Sequence, residues 1–259
     1  MKVAILGAGP AGLIGAHAAV ELGHEVAVYS RKEPSKMYGA MFLHAPVPNV
    51  SPKVHELEIV VDKLGTRGGY AMNVYGDPKA PVSWDRFDPG TILAWSLPKT
   101  YRKLWTMYEG LIIPCEITPF LAMDIRAKSD VMFSTLPATM MCNVWGHNFK
   151  SQAVVIVHGP NTDGPELRNR MVYNGSLGEQ WYRYSIINRY ESWEYRDGNI
   201  PYHVEKGAVE PQHIISQGMK PLWTDCDCHP DIIRLGRFGQ WDKNVFVHHS
   251  YEAVRNALH

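Results

Sequence analysis

Residues 2–33 read "KVAILGAGPAGLIGAHAAVELGHEVAVYSRKE". An apolar run over 2–7 meets Gly7-Ala8-Gly9-Pro10-Ala11-Gly12. An alanine-rich stretch over 10–22 then ends at Gly23, and a second apolar run covers 25–30. The order predicts strand, helix, strand, with the two strands parallel. The glycines have G-x-G-x-x-G spacing. Gly7 permits the tight turn, Gly9 lets backbone approach a pyrophosphate, and Gly12 lets the helix lie close on the strand. Pro10 and Ala11 open the helix. Its N-terminus offers unpaired N–H groups and a positive dipole end to phosphates. The stretch therefore predicts a dinucleotide site.

Sites of this kind usually close the second strand with an acid that holds the ribose hydroxyls. Here the strand ends at Ser30, followed by Arg31 and Lys32, with Glu33 three residues late. Ser30 can make only one weaker version of that contact. A Ser-Arg pair suits a ribose 2′-phosphate, so this loop alone leans toward NADP.

Further along, 34–100 changes character. "SKMYGAMFLHAPVPNVSP" is loop-like, and "HELEIVVDKLG" alternates like a half-buried strand. Tyr101, Leu104, Trp105 and Tyr108 follow helical spacing past Pro98. A short helix and a strand over 130–135 follow, then the strong strand "QAVVIVHGP". Residues 168–204 are strand-like and aromatic. The expected fold class is α/β. A Rossmann-like βαβ domain with a parallel sheet comprises 1–45, 110–145 and 230–259. A small antiparallel β-rich substrate layer comprises 46–109 and 146–229.

Composition narrows the partners. With 26 basic and 26 acidic residues in 259, no net field draws the chain to nucleic acid or a membrane surface. No stretch reaches the roughly 18 apolar residues of a membrane span. Four cysteines, Cys115, Cys142, Cys226 and Cys228, are too few for a disulfide framework. The expectation is a soluble, cytoplasmic protein with no membrane partner. Cys226-Asp227-Cys228-His229 is too tight for the usual zinc knuckle. With no partner pair evident for Cys142, no metal is expected.

The tail "LGRFGQWDKNVFVHHSYEAVRNAL" shifts the balance toward FAD. Gly236-Arg237-Phe238-Gly239 with Trp241, and the approach Val247-His248-His249-Ser250, resemble the C-terminal flavin-binding segment of the glutathione-reductase-like FAD oxidoreductases. The closest likeness is to the amine oxidase, UDP-galactopyranose mutase and protoporphyrinogen oxidase branch. "SDVMFSTLP" at 129–137 is similar to that branch's strand and loop before the substrate insertion. Tyr38-Gly39-Ala40 sits where the branch has a glycine-rich loop. The resemblance implies FAD as cofactor. It also implies contacts from Gly39, Ala40, Gly236, Arg237, Phe238, Trp241 and Ser250 beside those from the first glycine turn, Ser30 and Arg31. The chain departs from the branch at Ser30 and in being short, as some viral members are.

Flavin enzymes leave the difficult step to the cofactor, so the expected protein groups are polar ones facing the ring. His248, His249 and His44 are candidates to hydrogen-bond or to take a proton near neutral pH. Arg237 could balance negative charge. In "WYRYSIINRYESWEY", strand alternation puts Trp181, Arg183 and Ser185 on one face and Tyr182 and Tyr184 on the other. Trp181, Arg183 and Tyr184 suit a planar or anionic substrate, or an exposed nucleobase. The resemblance implies oxidation of a C–N bond in an amine or amino-acid-type substrate, including an amino-acid-modified thymine in viral DNA. The partners expected are a small-molecule or modified-base substrate, a local contact with nucleic acid, and a second copy of the chain. The alternatives are an NADP-binding Rossmann oxidoreductase, a redox-neutral flavin mutase and a non-catalytic dinucleotide-binding module.

Overall fold

The computed structural model describes residues 1–259 except 32, 35, 36, 38–40, 83, 85–87, 162–167, 206, 208 and 211. The expected contacts of Gly39 and Ala40 thus lie outside the described residues. The chain runs β1 (Lys2–Leu6), α1 (Pro10–Glu21), β2 (Glu25–Ser30), β3 (Phe42–Leu43), β4 (Glu56–Gly65), α2 (Arg67–Tyr75), β5 (Gly90–Ser96) and α3 (Leu97–Tyr108). It continues through β6 (Ile112–Pro114), α4 (Pro119–Ala127), β7 (Val131–Ser134), α5 (Ala138–Met141), β8 (Phe149–Pro160), β9 (Arg170–Gly175), β10 (Trp181–Ile187) and β11 (Tyr190–Arg196). The last elements are α6 (Tyr202–Glu205), β12 (Ile214–Thr224), β13 (Ile232–Arg234), α7 (Gly236–Gln240) and α8 (His249–Leu258).

Among the described residues the strands form two sheets. The first, ordered β13-β7-β1-β2-β6, is parallel throughout. The second, ordered β12-β8-β11-β10-β9-β4-β5-β3, is antiparallel except where β4 runs parallel to β9. Its eight strands make this layer larger than the small one expected from chain length.

The parallel sheet is covered on both faces, which is why its strands read as unbroken apolar runs. Val3, Ile5 and Phe133 point into a core shared with α1, α3 and α8. Ala4, Leu6, Met132 and Ile232 point the other way, onto Ala122 and Ile125 of α4 and Met141 of α5. α1 is apolar nearly all round because it is sandwiched, with Ala11 to Ala19 buried. The core tolerates one polar network there. The His17 ring bonds the Tyr108 hydroxyl at 2.6 Å and the Pro48 carbonyl at 2.8 Å. Phe133 is fully buried; truncating such a side chain to Ala costs about 3–5 kcal/mol.

The second sheet alternates. Val154 and Ile156 face a cluster with Leu57, Ile59, Tyr70, Val74, Met171, Tyr173 and Tyr182. Val155 and Val157 face Tyr195 and Val204 on the other side. The β10–β11 hairpin turns through Asn188 and Arg189, both left-handed at φ 52° and 63°, the signature of a tight two-residue turn. Among the described residues no helix is long and apolar enough to cross a membrane.

Candidate functional site

A cavity of about 630 Å³ opens between the two sheets. Its lower wall is the carboxyl end of the parallel sheet, where ligands bind in open α/β sheets. Gly9, Pro10 and Ala11 line it, with Thr135, Pro137, Leu235, Gly236, Arg237 and Phe238. The glycine turn is held from three sides. Gly7 N–H donates to the Tyr29 carbonyl at 2.8 Å, the Thr135 hydroxyl donates to the Leu6 carbonyl at 2.9 Å, and the Tyr101 hydroxyl donates to the Ala8 carbonyl at 2.9 Å. Gly12 is obligatory: a Cβ there would stand 1.9 Å from the Gly7 carbonyl oxygen. No side chain caps α1 at Gly9, and Pro10 fills its first position. The first-turn N–H groups are therefore left for a ligand, and the dipole favours an anionic one. At the other glycine turn, Gly236 is left-handed at φ 69°, and a Cβ on it would meet the Ala11 Cβ at 2.7 Å. The head and tail of the chain thus meet at this wall.

The upper wall comes from the second sheet and α2: Tyr70, Val74, Tyr75, Met171, Tyr173, Arg183 and Lys220, with Lys243 beside them. A β-bulge between Trp181 and Arg183 shifts the register of β10. It overturns the simple alternation. Tyr182 and Arg183 both reach Glu194, whose oxygens accept from the Tyr182 hydroxyl at 2.9 Å and Arg183 Nε at 2.8 Å. Trp181 and Tyr184 instead meet edge to face on the far face, ring centres 6.3 Å apart, with Trp193 next to Tyr184. Of the three expected substrate residues only Arg183 lines the cavity. Arg189 sits in the hairpin turn, away from the cavity lining.

Charge in this wall is set by burial. Burial works against an ionised Glu194, but Arg183 and Lys220, with the Arg183 and Tyr182 hydrogen bonds, hold its carboxyl below the usual range. Lys220 is lowered to about 7, first by burial and then by Arg183, despite Glu194, with Arg237 and Lys243 adding to the effect. Its ammonium stands 5.6 Å from the Tyr182 ring centre. It can hold a proton or take one near neutral pH. Nothing in the sequence marked Lys220, because its surroundings come from four separate segments.

Histidines and aromatics form the rim. His44 lies 4.9 Å from Phe42 and 4.6 Å from Phe246, and His248 stacks on Phe246 at 5.5 Å. His44 and His248 line the cavity. Burial, and then His249, lower His248 to about 4, so it is neutral at pH 7. Of the two expected roles, hydrogen bonding is the one a neutral ring favours. His249 Nδ1 accepts from the Phe246 N–H at 3.3 Å, outside the cavity lining. Trp241 is buried, its indole N–H donating to the Lys150 carbonyl at 2.9 Å. It braces the tail against β8. Ser250 is buried at the start of α8, with no partner for its hydroxyl among the described residues. Ser30 ends β2, its carbonyl accepting from Cys115 N–H at 2.9 Å. Arg31 is exposed, 3.9 Å from Glu116. Neither lines the cavity. The thiols of Cys142, Cys226 and Cys228 converge with the His147 ring, although Cys142 had no evident partner in the sequence.

No protein-family model matches the chain, and no curated protein matches it. Solved structures do. The tryptophan C-6 flavin-dependent halogenase of taromycin biosynthesis superposes with TM-score 0.61 at 10% identity, over 100% of this chain and 72% of that one. The fold is that of flavin-dependent halogenases and monooxygenases. The p-nitrophenol 4-monooxygenase PnpA from Pseudomonas putida DLL-E4 gives 0.57 at 12%, over 99% and 80%. The peptidyl tryptophan dihydroxylase QhpG gives 0.55 at 11%, over 99% and 64%, so the chain spans less than two thirds of that protein.

Proposed function

We propose that this chain is an FAD-dependent oxidoreductase acting on a compact substrate with an anionic group, of the amine or amino-acid type. One observation carries the reading. The uncapped N-terminus of α1 opens into a cavity whose opposite wall holds Arg183 and Lys220. That pairs a backbone cradle for a dinucleotide with side chains for a second, anionic occupant.

The residues present fit FAD. Gly9, Ala11 and Gly12 would take the pyrophosphate at the start of α1. Arg237 and the Gly236 turn would flank the ring system. When bound, FAD supplies a two-electron acceptor for a substrate C–H or C–N bond. The rest is the work of this chain. Arg183 and protonated Lys220 orient a carboxylate, and the Tyr70 and Tyr173 rings give it flat walls. Neutral His248 accepts or donates a hydrogen bond without adding charge, and the Phe42–Phe246 rim excludes water. Kinship with the amine oxidase branch rests on the tail. An amino acid attached to a thymine base fits the same chemistry. The zero net charge limits contact with duplex, so such a base would have to be presented flipped out.

The purified protein should be yellow and release FAD on denaturation, at about one per chain. A colourless protein that binds NADPH instead would overturn the reading. Anaerobic reduction of the flavin by members of an amine and amino-acid panel would identify the substrate class. If no carboxylate-bearing member is active, the anionic-substrate half of the proposal fails.

A further inference from the structure

We propose that Cys142, His147, Cys226 and Cys228 bind a structural Zn²⁺ ion that ties together the two chain crossings between the sheets. Each offers one ligand atom, and the four atoms lie within 4.8 Å of one another. Cys142 Sγ is 3.8 Å from Cys228 Sγ and 3.3 Å from His147 Nδ1, and Cys228 Sγ is 3.5 Å from the same nitrogen. A tetrahedral zinc ion with ordinary bond lengths separates its ligands by about 3.8 Å for two sulfurs and about 3.5 Å for sulfur and nitrogen. Cys142, Cys228 and His147 therefore stand at the spacing of one ion's ligands, with Cys226 within 4.8 Å of each. A disulfide would need its sulfurs at about 2.0 Å. Three thiolates and an imidazole select a soft or borderline tetrahedral ion, as in other Cys₃His sites.

The placement is built by the fold. β12 pairs with β8 antiparallel, with Thr224 opposite Phe149. That register brings the stretch after β12 beside the stretch before β8. Asp225 then accepts from Asn148 N–H and Nδ2, both at 2.7 Å, and the Thr224 hydroxyl donates to the Asn148 carbonyl at 2.7 Å. His147 and the Cys226–Cys228 pair follow from these anchors. Cys142 arrives from the other sheet, as the residue that closes α5.

Charge balances too. Three thiols lose their protons to solvent as the ion binds, and His147 coordinates as the neutral ring. The ion and three thiolates sum to one negative charge. Arg234 sits against them: its Nη2 lies 3.3 Å from Cys226 Sγ, and its two Nη groups donate to the Cys226 and Cys228 carbonyls at 2.9 and 2.8 Å. Hydrogen bonds of this kind from outside the ligand set orient metal ligands and tune the ion they hold. Arg234 also ends β13, two residues before Gly236 and the cavity. The ion would thereby hold the lower wall's second glycine turn in place.

The test is the metal content of the full chain, made in zinc-supplemented medium without a histidine tag. We expect one zinc per chain, retained after the flavin is stripped, so this outcome is separate from the flavin reading. Cys142→Ser/Cys228→Ser should lose it, and Cys115→Ser should keep it. In the native protein only Cys115 should react with a thiol reagent; all four should react after chelation and denaturation. Should the double variant fail to fold, Co²⁺ exchanged into the wild type still decides. It should give the visible bands of a tetrahedral thiolate site, to the red of the flavin. A wild type without zinc, three further reactive thiols in the native state, or zinc that survives in a soluble double variant would overturn the proposal.

Discussion

In the function proposed here, the two walls of the cavity recognise by different means. The lower wall works through backbone: the bare N-terminus of α1 and the turn at Gly236. The upper wall works through side chains: Arg183, Lys220, Tyr70 and Tyr173, with Glu194 behind them. A backbone site needs only glycines at fixed spacing, so it is written locally. A side-chain site depends on register and on which strands become neighbours, so it is written across the whole sheet.

The sharpest way to break the contrast is Gly12→Val. The added carbons have no room beside the Gly7 carbonyl. The expected penalty exceeds the ~1–3 kcal/mol of ordinary overpacking. Soluble, flavin-loaded protein should disappear, as read by flavin content and thermal midpoint. Next is Glu194→Ala. Glu194 is 4% exposed and pairs with Arg183. Removing one partner of a buried pair costs about 3–5 kcal/mol, measurable by urea unfolding.

pH separates the walls more gently. Lys220 releases its proton at about 7 in the folded chain but at about 10.4 when unfolded. Between those values the unfolded chain binds the extra proton, so stability rises with pH across that window. Lys220→Met should flatten the rise. His248, at about 4 when folded, contributes stability above about 6.5 that is lost as pH falls toward 4. His248→Phe should remove that acid limb. The smallest effect is expected at Tyr184→Phe. Its hydroxyl donates to Glu191 at 3.1 Å on the far face. Losing it costs about 0.5–1.5 kcal/mol and should leave ligand binding in the cavity unchanged.

The sequence's legibility follows the same division. Gly7 to Gly12 and the helix stop at Gly23 were readable because each is a local steric demand; the second turn at Gly236 was reached through the family resemblance of the tail. The continuous apolar strands were readable because both faces of the parallel sheet are covered. The face of Arg183 was misread because a bulge is invisible to period-two counting. Lys220 was missed because its partners are far away in the chain, and Glu194 because its pairing with Arg183 depends on the shifted register of the β10–β11 hairpin. Cys142 and His147 lie five residues apart but were not read as a pair. They become part of a cluster only when β12 and β8 align.

One measurement tests the division of labour directly: FAD content and benzoate affinity, by flavin absorbance, in wild type and Lys220→Met across pH 6 to 9. We expect FAD to stay at about one per chain in both. Benzoate should bind wild type more weakly as pH rises through about 7, and should bind Lys220→Met weakly with no such step. Loss of FAD together with benzoate in Lys220→Met, or benzoate binding unchanged by the substitution, would contradict the account.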